Sequence, residues 1–221
     1  MEKSKRPAKQ PRNAEATKKR ILAAARDQFA KRGFDGARVD SIARAAKINK
    51  QMLYHYFGNK DRLFTVVLEE AYRDMRIPEA ALDLDALPAD RAVLALVEFT
   101  WRHYLANPHF TRLLNSENQL EARHVKASPD TDDINRSHVA IMEKLLARGK
   151  REGVIREDID PVQLNISIAA LGFFYLMNRH TLSRVYQRDL MAPEQLDARL
   201  AVMKETIFRY ISPTPSAATP R

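Results

Sequence analysis

The sequence predicts an all-α protein, and three observations carry that expectation. Apolar residues recur at intervals of three and four over nine segments, the period of a helix with one buried face. No segment shows the sustained alternation of a half-buried strand. Glycine is scarce, at six of 221 residues, and Pro108, Pro161 and Pro193 stand at the starts of periodic segments, where the missing N–H is harmless.

Taken in order, residues 1–12 are basic, polar and proline-containing, with too little apolar surface to offset the entropy of ordering them, so a disordered arm is expected. A first helix is expected over residues 13–32, with Ile21, Leu22, Ala25 and Phe29 on one face and Gly33 placed to end it in a left-handed conformation. Two short helices follow within RVDSIARAAKINKQMLYHYFGNK, residues 38–60. In the first, Val39, Ile42, Ala43 and Ala46 face inward while Asp40, Ser41 and Arg44 point away. In the second, Leu53 and Phe57 form an inward i, i+4 pair, Asn49 is placed to cap the orphan amides, and Lys50, Gln51, Tyr54 and His55 remain outside. A tight turn that presents the second helix outward is the grammar of a helix-turn-helix. Asn59 reads as the cap of a longer helix over residues 60–76, striped by Leu63, Phe64, Val67, Leu68, Ala71, Tyr72 and Met75 and stopped by Pro78. Further helices are expected over residues 90–106, 108–123, 134–152, 161–184 and 193–211, with residues 124–133 as the clearest internal loop.

Charge is distributed unevenly. Residues 1–60 hold sixteen Lys and Arg against five acids, the remaining 161 hold twenty-one against twenty-three, and the formal excess of nine therefore arises in the N-terminal segment. An isolated basic cluster is commonly a solvated surface, but one that coincides with a helix-turn-helix pattern is an electrostatic footprint for phosphate. With no cysteine, disulfides and thiolate metal sites are excluded, which suits a reducing cytoplasm. The N-terminal residues lack the apolar core of a secretory signal. The longest near-continuous apolar run, residues 166–177, falls short of the roughly 20 residues that span a bilayer. The expectation is a soluble cytoplasmic protein with no membrane partner. Without a phosphate-binding glycine loop, and with six histidines that offer no HxxxH spacing, no catalytic, metal or cofactor site is expected.

From residue 17 to 211 the arrangement resembles the TetR (tetracycline-repressor-like) family of one-component bacterial regulators. The specific part is ILAAARDQFAKRGFDGARVDSIARAAKINKQMLYHYFGNKDRLF, whereas the C-terminal helices match in number and order alone. The resemblance implies a homodimer on a palindromic operator in double-stranded DNA, with repression as the usual outcome, and a pocket for a small-molecule effector in the C-terminal domain. It divides the chain into the arm, a helix-turn-helix DNA-binding domain at 13–58, a ligand-binding and dimerisation domain at 59–211, and a disordered tail at 212–221. Two positions depart from the family's pattern. Arg38 stands where a Ser or Thr cap is usual, and Lys47 occupies a turn position that is often glycine, where lysine at positive φ costs about 1 kcal/mol.

Combining the resemblance with side-chain chemistry, Lys50 and Gln51 are the candidates for base edges, since Lys suits guanine O6/N7 and Gln pairs with adenine. Arg38, Tyr54, His55 and Lys60 are better placed to hold phosphates. Tyr56 fits either packing or contact, and the arm residues Lys3, Lys5, Arg6, Lys9 and Arg12 fit either a DNA-tracking arm or a solubilising tail. A homodimer is expected through helices at about 161–184 and 193–211. Leu196, Leu200, Met203, Ile207 and Tyr210 form a narrow seam, and the preceding helix is apolar almost all round, with Ala169, Ala170 and Gly172 permitting close approach. Ligand candidates are polar or aromatic residues that intrude on buried stripes: Glu117 with His124, His138, Asn178 beside Phe174, and the aromatic Trp101 and Tyr104. Each also reads as a satisfied core residue or an exposed edge, and the effector they suggest is small and partly polar or aromatic. Signal transfer is expected through the helix at 60–76, whose tilt would alter the spacing of two reading heads that meet half-sites about 34 Å apart. Two other classes remain on these residues: a non-specific DNA-packaging protein, and a small helical-bundle enzyme using Glu117 and His124 as an acid–base couple.

Overall fold

A computed structural model of the protein describes residues 11–213, which form eleven helices and, among themselves, no strand. In order these are α1 (Pro11–Gly36), α2 (Val39–Ala45), α3 (Lys50–Phe57), α4 (Lys60–Ala80), α5 (Ala89–Ala106), α6 (Pro108–Gln119), α7 (Arg123–Lys126), α8 (Pro129–Glu152), α9 (Pro161–Met177), α10 (Arg179–Tyr186) and α11 (Pro193–Ile211). They sort into two compact units, one of residues up to Ala71 with Arg112–Pro129, the other of Tyr72–Thr111 with residues from Asp130 onward. Packing therefore groups residues 59–71 and 112–129 with the helix-turn-helix, whereas the sequence grouped them with the C-terminal helices.

In the first unit the apolar stripe of α1 buries Ile21, Ala25 and Phe29 completely, α2 adds Ile42, α3 adds Leu53 and Phe57, and the first half of α4 adds Leu63, Phe64, Val67 and Leu68. Each of the larger of these side chains, Ala25 apart, contributes about 1.5–3 kcal/mol on burial. Phe64 meets Phe29 edge-on at 4.7 Å and Phe34 at 5.2 Å, so α4 is locked to α1 by aromatic packing. The second unit is built on α5, which packs against α9 and α11. Its core contains Val93, Leu96, Val97 and Trp101 of α5, Met142 and Leu145 of α8, Leu164 and Ile168 of α9, and Met203 and Ile207 of α11. Gly149 is required where α8 turns toward Ile155: a Cβ there would stand 2.3 Å from the Ile155 Cδ1 and 3.0 Å from the Ala89 Cβ.

Several expected boundaries move. The described part of the arm, residues 11 and 12, opens α1, while residues 1–10 of the arm and 214–221 of the tail lie outside the described residues. Gly33 does adopt positive φ, at 68°, but only interrupts α1, which resumes to Gly36. Pro78 does not stop α4, because the Arg76 and Glu79 side chains pair at 2.8 Å across it and His138 fixes Glu79 from α8. The loop expected at 124–133 holds the short α7 and the first turns of α8, since Pro129 is an N-terminal proline and not a breaker. The single helix expected over 161–184 divides at Asn178, whose amide donates to the Phe174 carbonyl at 2.9 Å and so competes with the helical ladder.

Lys47 carries φ 55° in the turn between α2 and α3. A left-handed lysine is strained, so Lys47→Gly should stabilise the fold by about 1 kcal/mol, seen as a higher denaturant midpoint at unchanged slope. A midpoint that falls would show that the turn draws on the lysine side chain.

Candidate functional site

The turn that ends at Asn49 aims α3. The Asn49 Oδ1 accepts the Met52 amide at 2.7 Å, which caps the helix, and Gly58 at φ 74° ends it after two turns. Leu53 and Phe57 are buried beneath, and Lys50, Gln51, Tyr54 and His55 are exposed together on the opposite face. Lys50 is already engaged: its ammonium lies 3.2 Å from the Asp40 carboxylate of α2 and 5.9 Å from the Tyr54 ring centroid. Arg38 is exposed at the N-cap of α2 and gives no side-chain cap, as the sequence anticipated. Tyr56 is half-buried, with its ring 5.6 Å from that of His55.

Lys60 stands at the start of α4, where its ammonium donates to the Asp35 carbonyl at 3.3 Å and rests 4.6 Å from the Phe34 ring centroid. The other cation over Phe34 is Arg123, at 5.1 Å, which also pairs with Asp61 at 2.7 Å. Glu117 and His124 meet in this same unit. The Glu117 carboxylate accepts the backbone amides of His124 at 2.6 Å and Val125 at 2.9 Å, and its Oε2 lies 2.7 Å from His124 Nδ1. Both residues are buried, and the imidazole packs 4.7 Å from Phe34 and 4.8 Å from Phe64.

In the second unit Tyr104 and His138 come together on a cavity of about 40 Å³ whose polar wall also holds Arg76, Glu79, Thr100 and Asn165. His138 Nδ1 lies 3.0 Å from a Glu79 oxygen that also takes a hydrogen bond from Arg76 at 2.8 Å. Burial alone would raise the Glu79 carboxyl, but the hydrogen bond to His138 and the charge of Arg76 outweigh it and hold the pKa below the ordinary 4.5. Burial pushes the Tyr104 hydroxyl up to about 12, so it stays protonated. Trp101 is not on this cavity; it is a core residue whose ring meets Tyr175 at 5.7 Å. Phe174 is 58% exposed and lines a groove between α9 and α11 with Leu171, Arg199 and Tyr210, and Asn178 closes α9. Sequence reasoning did not single out Arg76, Glu79, Asp40 or Arg123. The first two form an i, i+3 pair straddling Pro78, a signal masked by reading the proline as a helix stop.

Known proteins share this arrangement. A family model described as bacterial regulatory proteins, tetR family, matches residues 21–67, and one described as tetracyclin repressor-like, C-terminal domain, matches residues 90–207. The HTH-type transcriptional repressor NicS of Pseudomonas putida is 37% identical over 177 residues, covering 80% of this chain and 84% of that protein. The HTH-type transcriptional repressor SCO4008 of Streptomyces coelicolor is 32% identical over 161 residues, covering 73% and 79%. The crystal structure of SCO4942 from Streptomyces coelicolor superposes with a TM-score of 0.69 at 25% identity, covering 88% of this chain and 98% of that one. Bacillus subtilis FadR in complex with stearoyl-CoA gives 0.64 at 18% identity, covering 87% and 98%, a likeness of fold.

Glu79 yields a pH prediction. Its folded pKa is depressed, so its contribution is fully present above the unfolded value near 4.5 and is lost as pH falls through the folded value. Glu79→Gln should lower stability by about 1.5–3 kcal/mol at pH 7 and flatten the acid limb of the stability profile, measured by denaturant unfolding between pH 3 and pH 7. An unchanged acid limb would assign that limb to other carboxylates.

Proposed function

As this chain belongs to the TetR family of bacterial regulatory proteins, we propose that it is a one-component repressor that holds a palindromic operator as a homodimer and leaves it when a small-molecule effector binds among its C-terminal helices. That the protein is a DNA-binding transcriptional regulator follows from the family. The observation that carries the rest is α3, a capped helix with an anchored inner face and four hydrogen-bonding side chains exposed on the outer one. On docking, Lys50 exchanges Asp40 for a base edge and Gln51 reads beside it, while Arg38, Tyr54 and His55 hold phosphates and fix the register. Lys60 serves first to seat the start of α4 on Asp35 and Phe34, with its charge directed at the backbone of DNA.

Support for the homodimer comes from α9 to α11. Val162, Ile166 and Phe174 of α9, Val185 and Tyr186 of α10, and Val202 of α11 are large apolar side chains left exposed. A palindrome-reading helix-turn-helix uses a two-fold axis, and these exposed side chains supply apolar surface for a second copy to cover. The effector acts through α4, the helix that begins beside α3 and whose last turns carry Arg76 and Glu79 to the cavity. Shifting the population from 1:99 to 99:1 requires about 5.5 kcal/mol of preference for the released state.

Selection of genomic fragments on the purified protein at about 0.15 M salt tests the reading. The expected outcome is a shared inverted repeat; retention without a common sequence would replace it with non-specific packaging. On that repeat, Gln51→Ala should relax preference at one base position by about 1–3 kcal/mol, whereas Tyr54→Phe should weaken all sequences alike. Uniform loss from Gln51→Ala removes its base-reading role. For the dimer, Phe174→Glu should convert the sedimenting species from twice the chain mass of 25.3 kDa to that mass itself, with loss of operator binding.

A further inference from the structure

We propose that the cavity of the second unit takes a small organic monocarboxylate with an aromatic or apolar body, bound through Arg76, Tyr104 and Asn165. This rests on the effector reading above and names the class of ligand.

The polar wall is unequally satisfied. Glu79 is spoken for: both its oxygens lie within 3.1 Å of His138 Nδ1 and one also accepts from Arg76 Nη1. Arg76 spends Nε on Asn135 at 3.0 Å and Nη1 on Glu79, and among the described residues its Nη2 makes no hydrogen bond. Tyr104 is 4% exposed, yet its hydroxyl has no hydrogen-bond partner among the described residues, and it lies within electrostatic reach of Arg76 and Glu79. Thr100 and Asn165 likewise reach the cavity without a hydrogen bond among the described residues. None of these atoms is sealed away from solvent, so they open onto the cavity and stand ready for whatever fills it.

Each of these groups open to the cavity can donate, and one of them, Arg76, can do nothing else. Arg76 offers only N–H, the Tyr104 hydroxyl stays protonated because burial holds its pKa near 12, and Asn165 presents an amide. An acceptor-rich ligand completes them, and a cationic one would face Arg76. The Glu79 carboxylate in the same wall repels each further negative charge, which favours a monoanion over a dianion. The remaining walls are Met75, Leu96, Met142 and Ile168, a surface for an apolar body. The present cavity of about 40 Å³ admits a few waters, and the unbranched Met75 and Met142 are the walls that yield to a ring.

The test is calorimetric titration of the full chain with benzoate, phenylacetate and butyrate, and with benzamide and benzylamine as neutral and cationic counterparts. At least one carboxylate should bind once per chain, its affinity at least tenfold above both counterparts, and Tyr104→Phe should weaken it about tenfold. Asn165→Ala, at a half-exposed position, gives an independent reading in case ligand-free Tyr104→Phe loses its circular-dichroism melt, and it should weaken the same carboxylate. Benzylamine binding as tightly as the acids, no binding by any carboxylate, or full affinity in a folded Tyr104→Phe and in Asn165→Ala would each overturn the proposal. If the acids fail while an inverted repeat is still bound selectively, the ligand class falls and the regulator stands; failure to select any repeat would sink the regulatory reading whatever the acids do.

Discussion

Glu117 is a carboxylate with 4% exposure, and the first unit is arranged to make that burial tolerable. An unpaired charge in such a place is prohibitive, so three donors converge on it, two backbone amides and the His124 ring. To deliver them the chain must reverse within a few residues of α6, and it does so by placing Glu121 and Ala122 at φ 55° and 58°. Left-handed conformations at non-glycine residues cost about 1–2 kcal/mol each, so the reversal exists because the carboxylate holds it. The effects spread outward. His124 is pressed onto Phe34 and Phe64, the Phe34 amide donates to Ser116 at 2.9 Å, and Lys60 and Arg123 cover the Phe34 ring. The end of α1 and the start of α4, which bracket α2 and α3 in the chain, are thereby fixed, and α3 is presented from a rigid base.

A second glutamate–histidine pair performs a comparable task elsewhere. Glu79, with 1% exposure, is held by Arg76 and His138, and this trio carries α4 past Pro78 and ties it to α8. The difference lies in what is left over. Around Glu117 the donors are matched to the acceptor, and the aromatic rings close the space. Around Glu79 two side chains, His138 and Arg76, supply the hydrogen bonds, and a cavity remains into which Tyr104 and Asn165 reach without a protein partner among the described residues. One cluster is closed on itself, and the other leaves the open wall on which the proposed ligand site rests.

The helix-turn-helix was legible because its information is local. Leu53 with Phe57 and Asn49 with the Met52 amide are relations within four residues, and helical periodicity states them directly. Helix ends were less legible, because Pro78 and Asn178 each carry a breaker's signature whose effect depends on partners. At Pro78 those partners hold the helix together; at Asn178 the side chain turns on its own ladder and divides α9 from α10. Glu117, His124 and His138 were readable as polar intrusions on apolar stripes, but that pattern is identical whether the missing partner is a ligand or the protein. His138 finds Glu79 59 residues away, and Glu117 finds His124 through a left-handed turn that no residue type at 121 or 122 advertises.

The near-uniform hydropathy of α9 has a related physical meaning. One side of the helix, with Leu164, Ile168, Gly172 and Leu176, is buried in its own unit, and Gly172 lets the Tyr104 and Trp101 rings approach so closely that a Cβ would stand 3.2 Å from Tyr104. Asn165, Ile168 and Ala169 wall the cavity, while Ser167, Ala170 and Phe174, alternating with them along the same turns, line the outer groove. Interiors at native packing density transmit displacements and do not absorb them. On the effector and dimer readings proposed above, a ligand that pushes Ile168 would move the backbone that also carries Phe174, and one rigid element would then set both the occupancy of the cavity and the geometry of the dimer surface. Such a coupling would need no further pathway, because inner wall and outer face are separated by the diameter of a single helix.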